Sequence, residues 1–468
     1  MQRIFAIAWL TWKAAVRFKL FLVIAALLLL AVVGLPLVIK DDGTAQGFTQ
    51  IILTYTLSTI TALLGLSTLW LSCGTLARDI EECQIQVVAT KPIARWQIWL
   101  GKWLGLVSLN AVLLALSGAC VFGLLQWRAS RLPADVQQTL REQILVARGS
   151  AKEADTSAMI EAATEQIYQS RLKQSAEFAN LNPAEKKEVR TQIHEGVKAD
   201  LQLVPPGYQS RPWRLDLGLA KNYLHGKPLQ LRVKFNTATP GPSGVTFDAL
   251  WQVGIPGKTK YWRTESPMSL APDTFHEFQI PPDLFDESGV LTVFFYNPNN
   301  TALLFPLNEG MEVLYPEGGF ALNFARGLGI IFCWMALLAA LGLAAASLLS
   351  FPVAAFFALA MMLVVFSSGT LAESVESGTI AAGNEETGQM GHSIADVVLI
   401  PAFKGVLTVV NLAKNFSPID ALSTGRSITW SELGLAFAQI VLLLGGIFAV
   451  LGIIFFNRRE LATAQGTQ

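Results

Sequence analysis

Long apolar runs occupy both ends of the chain, and a long polar block separates them. A bilayer's hydrocarbon core requires about 20 apolar residues in a helix. Six runs approach that length and predict six transmembrane helices. We place them at about 20–39, 50–73, 103–126, 323–349, 352–372 and 434–456.

Basic residues flank these runs asymmetrically. They precede the first run within residues 1–19 and follow the last at Arg458 and Arg459. Under the positive-inside rule this predicts that both termini are cytoplasmic and that the polar block lies outside. The two tryptophans among the basic residues of 1–19 predict an interfacial amphipathic helix. The first run has no small-residue cleavage site, so we expect it to remain as a span.

The polar block changes period part-way along. Residues 127–205 have a helical pattern, whereas 206–318 alternate with a period of two between Pro, Gly and Asn clusters, which is typical of an antiparallel sandwich or jelly roll. Candidate strands lie at 213–219, 229–236, 246–253, 259–264, 275–280, 289–296, 302–305 and 311–315.

The predicted fold class is an α-helical polytopic membrane protein of six spans with an inserted extracytoplasmic α + β-sandwich (jelly-roll-like) domain. Residues 394–412 are apolar but contain Pro401 and Lys404, so we expect a re-entrant or interfacial helix there. The predicted regions are 1–19, 20–126 with a cytoplasmic elbow at 76–100, 127–205, 206–318, 319–372, 373–433 and 434–468.

Small or hydroxylated residues recur at helical spacing along the second span. Such a face packs helices closely within a chain, or forms a dimer seam or the wall of a pathway. The residues are Thr54, Ser58, Thr61, Gly65, Thr68 and Ser72.

Aromatic residues of the sandwich region have two interpretations. Trp251, Tyr261 and Trp262 are either part of its core or exposed contacts for an outer ligand such as a carbohydrate.

The composition and the absence of known catalytic and binding motifs reduce the number of function classes that the sequence supports. Only 15% of the 468 residues are charged, against about 25% in soluble domains. The 35 basic and 35 acidic residues balance, so nothing favours nucleic acid. The sequence has no phosphate-binding loop, no nucleophile elbow, no zinc-protease motif and no metal-ligand spacing among its four cysteines. We therefore expect no enzyme activity, metal or cofactor in this chain.

The charged stretch 74–102 lies between the second and third spans and resembles a segment of one protein family. An acidic segment is followed by a proline, a basic residue and a Gly-Lys pair at the start of a span. The matching residues are Asp79, Glu81, Glu82, Pro92, Arg95, Gly101 and Lys102. The chain departs from the pattern at Cys83 and at Gln84-Ile85.

Two further segments support the same resemblance. Residues 456–461 are similar to an F-x-R-R-E-L ending, and residues 415–420 are similar to the outer segment that precedes that ending. Together these matches resemble the ABC type-2 permease family, in its NosY-like and gliding-associated branch. The resemblance covers about the first 126 and the last 150 residues, and not the inserted block. It implies the membrane subunit of an ATP-driven exporter in a bacterial cytoplasmic membrane. Two such chains would pair as a homo- or heterodimer, and an extracytoplasmic accessory protein is a further partner that the resemblance implies.

The resemblance also implies that separate ATPase subunits carry ATP and Mg²⁺ and dock on the elbow. The docking residues it implies are Arg78, Asp79, Glu81, Glu82, Pro92, Arg95, Trp96, Gly101 and Lys102. Two alternatives stay open. One is a mechanotransmitter, in which ATP moves the outer domain and nothing crosses the bilayer. The other is a membrane-anchored receptor that works through its sandwich and has no ATPase partner.

Overall fold

The computed structural model shows a mostly helical chain with a separate set of antiparallel sheets. Contacts divide the chain into two compact units, a helical unit of residues 1–147 and 318–468 and a β unit of residues 148–317. The structure describes residues 2–17, 20–38, 45–82, 84–85, 93–174, 183–237, 245–307, 309–377, 396–414 and 416–459.

The described helices follow one another from residue 2 to residue 458. They are α1 Gln2–Arg17, α2 Leu20–Val38, α3 Ala45–Glu81, α4 Arg95–Ala129, α5 Ala134–Gln143, α6 Ser157–Gln174, α7 Pro183–Gln202, α8 Lys221–Leu224, α9 Phe320–Leu348, α10 Phe351–Phe366, α11 Ser368–Ser377, α12 Asp396–Lys414, α13 Pro418–Ser423 and α14 Trp430–Arg458.

Five described helical segments are long and apolar enough to cross a bilayer, or six if the bent pair α1 and α2 forms one span. Such helices indicate a membrane-embedded protein. Four of the five correspond to predicted spans: α3, α4, α9 and α14. The fifth, Val398–Ser423, covers the region expected to be re-entrant, and α10 is shorter than the span predicted at 352–372. The number of spans and the sidedness therefore stay predictions.

Helix α9 is the centre of the helical unit and packs against α3, α4, α10 and α14. Its buried face is rich in alanine and glycine, including Ala339, Ala340 and Gly342. Small residues let helix backbones approach closely. Such close packing matters in a bilayer, because lipid tails are as apolar as leucine and the hydrophobic effect does not drive helices together there. Gly342, for instance, faces the Ser72 side chain of α3, where a Cβ would overlap the hydroxyl.

The amphipathic pattern of residues 2–17 does form a helix, and one face of it packs on α4. Ile7 and Thr11 are buried there, opposite Gly101 and Gly105. The other face leaves Phe5 and Trp9 exposed. Helix α1 is therefore held against the elbow end of α4 as well as presenting apolar side chains outward.

Twelve strands follow in chain order within the described residues of the β unit. They are β1 Val146–Lys152, β2 Leu203–Val204, β3 Ser210–Asp216, β4 Leu229–Val233, β5 Asn236–Thr237, β6 Phe247–Val253, β7 Trp262–Arg263, β8 Met268–Leu270, β9 His276–Ile280, β10 Val290–Tyr296, β11 Leu303–Leu304 and β12 Met311–Gly319.

Two sheets share one core in this unit. The first has the order β1-β12-β4-β9, and the second β3-β10-β6-β7 with β8 also on β6. That alternation between sheets is the strand order of a jelly roll. A small third sheet has the order β2-β11-β5. Inward residues of all three sheets form the core, as period-two alternation requires.

One prediction for the polar block was wrong, and the structure decides between the two interpretations of one aromatic residue. Residues Val146–Lys152 lie in the region predicted to be helical, but they form strand β1 at the edge of the first sheet. Small and charged residues in this segment gave no period-two signal, and pairing with β12 decides its conformation. Trp251, a candidate ligand contact, is 0% exposed and packs on Phe295 with ring centroids 4.7 Å apart. It is a core residue because it points inward from the central strand β6.

Candidate functional site at the helix ends

The predicted elbow divides between two long helices. Its acidic segment is the last turn of α3, and its second half is the first turns of α4, which begins at Arg95. Pro92 lies outside the described residues. The buried side of α4 here carries Ile98 and Trp99, whereas Trp96 is 44% exposed.

Lys102 links the two halves of the elbow. Its Nζ lies 2.5 Å from Oδ2 of Asp79 and donates to the carbonyl of Thr75 at 2.7 Å. Lys102 is only 8% exposed, so its charge depends on these partners. Neighbouring Gly101 has no room for a side chain, since a Cβ there would lie 2.6 Å from Cβ of Ile7. The predicted Gly-Lys pair therefore joins α4 to α3 and to α1.

Arg95 joins the elbow to the end of the last helix. Its Nη1 donates to the carbonyl oxygens of Phe456, Asn457 and Arg459 at 2.8–2.9 Å. These are C-terminal carbonyls of α14, which have no partner within the helix and carry the negative end of its dipole. A guanidinium with several fixed donors suits this cluster of acceptors.

Arg459 makes the same kind of contact at the C-terminal end of α9. Its Nη1 donates to the carbonyls of Ala346, Ser347 and Leu349, which end α9, at 3.1–3.4 Å. By sequence alone, Arg459 is only a basic residue that flanks the last span and part of a terminal motif. Its role could not be assigned because the carbonyls lie more than one hundred residues away in the chain.

Glu81 completes the connections. Its Oε1 accepts a hydrogen bond of 2.8 Å from the backbone N–H of Phe351, the first residue of α10. A carboxylate is favourable at this positive helix end. Arg78, one turn earlier on α3, lies over the Phe351 ring with its Cζ 4.4 Å from the centroid. The acidic segment of the elbow therefore holds the start of α10.

These bonds close into a ring: α3 to α4, α4 to α14, α14 to α9, and α10 back to α3, with a short turn joining α9 and α10. We call its five charged side chains the helix-end ring: Asp79, Glu81, Arg95, Lys102 and Arg459. Arg95 and Arg459 bind the C-terminal ends of two helices and Glu81 binds the N-terminal end of a third, so these three charges oppose the dipoles of the helix ends they bind. The ring couples the elbow to five helix ends.

The outer surface of the elbow is polar and accessible. Arg78, Glu81, Glu82 and Trp96 are all exposed. Glu82 accepts a hydrogen bond of 2.6 Å from Nε2 of Gln84. An exposed tryptophan and exposed charged side chains are residues that a protein partner could bury.

The small-residue face of α3 divides into two parts. Gly65, Thr68 and Ser72 are buried, and α9 covers them through contacts from Leu338 and Met335. Thr61 is half-buried. Thr54 and Ser58 are exposed, so within this chain they are the part of the predicted seam or pathway that a partner can still reach.

Two of the three proposed outer ligand residues stay at the surface of the β unit. Tyr261 is 60% exposed, and Trp262 is partly buried, with its ring 6.3 Å from Phe278. Among the residues the structure describes, no three His, Cys, Asp or Glu side chains are grouped to hold a metal.

Comparison with known proteins identifies no relative. No family model, no curated protein and no solved structure matches this chain. Assignment of function therefore depends on the chain's own residues.

Proposed function

We propose that this chain is the permease subunit of an ATP-driven ABC exporter, and that separate ATPase subunits dock on the elbow. The observation that carries the proposal is the helix-end ring, which joins the exposed elbow to the ends of five helices. A force applied to the elbow would reach all of them, because each joint is a charge-assisted hydrogen bond that cannot stretch far without being lost.

The docking surface has the chemistry for a soluble protein partner. Tryptophan is enriched among the residues that dominate binding energy, and rim charges steer association. In this proposal Arg78, Glu82 and Trp96 touch the ATPase, while Asp79, Arg95 and Lys102 transmit its movement. ATP and Mg²⁺ stay in the partner. Both termini and the elbow are cytoplasmic, and two copies or two related chains pair.

Co-purification from the native host in mild detergent tests the proposal. We expect recovery of a soluble ATPase with a phosphate-binding loop. Trp96→Ala should weaken its binding about 30-fold, because a buried hot-spot tryptophan contributes about 2 kcal/mol. Trp127→Ala is the matched control, since Trp127 is 57% exposed at the other end of the same helix. Failure to recover any ATPase with intact protein would favour the anchored-receptor hypothesis.

Charge provides a second pair of variants. Glu82→Lys should slow association, with a salt-dependent effect. Glu142→Lys is its control, because Glu142 is also exposed and also accepts from a glutamine amide, that of Gln138. Equal loss with both variants would argue against docking on the elbow. Glu81 and Arg95 are unsuitable here, since reversing them would break the ring itself.

The mechanotransmitter alternative has support of its own. The β unit has its own core, and the chain enters and leaves it at neighbouring points, since Gly318 lies against Ala147. Replacing 146–319 with a short linker distinguishes the two forms. A mechanotransmitter loses its cellular phenotype while the ATPase still co-purifies, whereas an exporter keeps ATP-dependent activity.

A further inference from the structure

An apolar groove opens on the helical unit between α2, α3 and α10. It encloses about 680 Å³, which is in the range of small-molecule sites. Among the described residues that line it, one carries a hydroxyl: Ser67, which already donates to the carbonyl of Leu64. Its widest exposed surfaces come from Trp70 and Phe356, at 54% and 74%. A long, flexible hydrocarbon chain fits such a lining, because the lining side chains are apolar apart from the Ser67 hydroxyl and the indole N–H of Trp70.

One end of the groove carries charges of both signs. Phe351 lines the groove at the start of α10, and the Arg78 guanidinium covers its ring. Glu81 is the last residue of α3 and Glu82 is the residue after it. They follow Arg78 by three and four residues, so they lie on the same side of that helix. At the end of a membrane helix, an arginine lies at the depth of lipid phosphates.

We propose that this groove binds a glycerophospholipid with a zwitterionic, amine-bearing headgroup. One acyl chain lies along Leu66, Trp70 and Ala355. The phosphate pairs with Arg78, and the ammonium pairs with the carboxylate of Glu82. An anionic headgroup without an amine pairs its phosphate with Arg78 but leaves the carboxylate of Glu82 without an ammonium partner, so charge complementarity favours the zwitterion.

The site has a consequence for the helix-end ring. Phe351 supplies both the aromatic end of the groove and the N–H that Glu81 accepts. An occupied groove therefore holds the joint between α10 and α3 from the bilayer side. The lipid site needs no ATPase partner, but it uses Arg78 and Glu82, which the proposed function gives to the ATPase. The lipid is therefore titrated against the chain without any ATPase, so that failure of lipid binding and failure of ATPase docking are distinguishable.

Native mass spectrometry of the delipidated full-length chain provides the test. It is titrated with phosphatidylethanolamine or phosphatidylglycerol carrying the same acyl chains. We expect one phosphatidylethanolamine to be retained, and phosphatidylglycerol to bind at least about fivefold more weakly, as one charge at a membrane surface implies. Equal or tighter binding of phosphatidylglycerol would overturn the proposal.

Variants locate the site. Ala355→Phe fills the groove and should abolish retention. Val353→Phe is the matched control, since Val353 is 50% exposed on the same helix but does not line the groove. Arg78→Gln should weaken binding of both lipids about fivefold, whereas Glu82→Gln should remove the preference between them. If Ala355→Phe instead dissociates a dimer and leaves lipid retention unchanged, the occupant is a second copy and the lipid site is wrong.

Fluorescence gives a readout that does not depend on the Ala355→Phe variant. Phosphatidylethanolamine with brominated acyl chains should quench Trp70, and the quenched component should disappear in Trp70→Phe. Unchanged quenching in Trp70→Phe would show that the lipid binds elsewhere.

Discussion

At the scale of single residues, the ammonium group of Lys102 is expected to stabilise the mostly apolar helical unit. Its ammonium is nearly buried and has two partners on α3. Lys102→Met should lower the unfolding free energy by about 1–2 kcal/mol, since a hydrogen-bonded charge is lost and Asp79, which is about one-third exposed, is left partly solvated.

The measurement is thermal unfolding of the detergent-solubilised chain, where we expect a fall of a few degrees. Lys13→Met, on the exposed side of α1, is the control. The double variant Lys102→Met with Asp79→Asn should cost less than the sum of the two single changes, because the two residues interact directly. Strict additivity would contradict the ion pair.

A second residue-scale case lies in the β unit. Glu312 on β12 and Arg232 on β4 are paired in register and lie 3.2 Å apart, with side chains 1% and 6% exposed. Glu277 on β9 is 3.6 Å from the same arginine. Charges therefore alternate across three neighbouring strands on the face opposite the core.

Glu312→Ala should destabilise this sheet by about 3 kcal/mol, because it removes one of the two carboxylates beside a buried guanidinium. Hydrogen exchange of the amides in 229–233 and 311–319 would report the loss. Glu317→Ala is the control, since Glu317 is exposed at the other end of the same strand. Similar exchange in both variants would show that the buried pair contributes little.

At the scale of elements, the contact between α1 and α4 depends on two glycines of α4, because a side chain at either position would have no room. Cβ atoms at Gly101 and Gly105 would lie 2.6 and 2.7 Å from Cβ of Ile7 and of Thr11. Gly101→Val should therefore displace α1, since backbone and β-carbons have no room to yield.

Faster hydrogen exchange across residues 2–17 is the expected result. Gly123→Val is a close control, because Gly123 lies on the same helix, has the same change in helix propensity and has no atom within 4 Å of its added Cβ. Unchanged exchange in Gly101→Val would mean that α1 is not held at this point.

At the scale of the whole molecule, the β unit behaves as an insertion. The sequence has no cysteine between Cys120 and Cys333, so no disulfide can hold the unit together. Its stability comes from one apolar core, to which residues of all three sheets contribute. The chain also enters and leaves it on neighbouring strands, β1 and β12.

We therefore predict that residues 146–319 fold when expressed alone. Circular dichroism should show strand and helix, unfolding should be cooperative, and the fluorescence of the buried Trp213 and Trp251 should shift on unfolding. A fragment that binds hydrophobic dyes and unfolds without cooperativity would show that the helical unit is needed to complete it.

The sequence by itself determined the class of the protein and most of its elements. Runs of about 20 apolar residues predict membrane helices because backbone polar groups must be satisfied internally in lipid. Alternation between turn clusters located β3, β4, β6, β9, β10 and β12 close to their observed bounds, since half-buried strands must alternate. The charged stretch 74–102 was singled out because its charges interrupt apolar spans.

Only the tertiary structure decided what those charges do. Arg95, Arg459 and Glu81 bind backbone groups of helix ends that are distant in sequence, and main-chain carbonyls and amides leave no signature in a sequence pattern. Strand β1 and the burial of Trp251 were likewise decided by neighbours on other strands. Local periodicity reports which face of an element is apolar, whereas the partner that covers that face depends on packing across the whole chain.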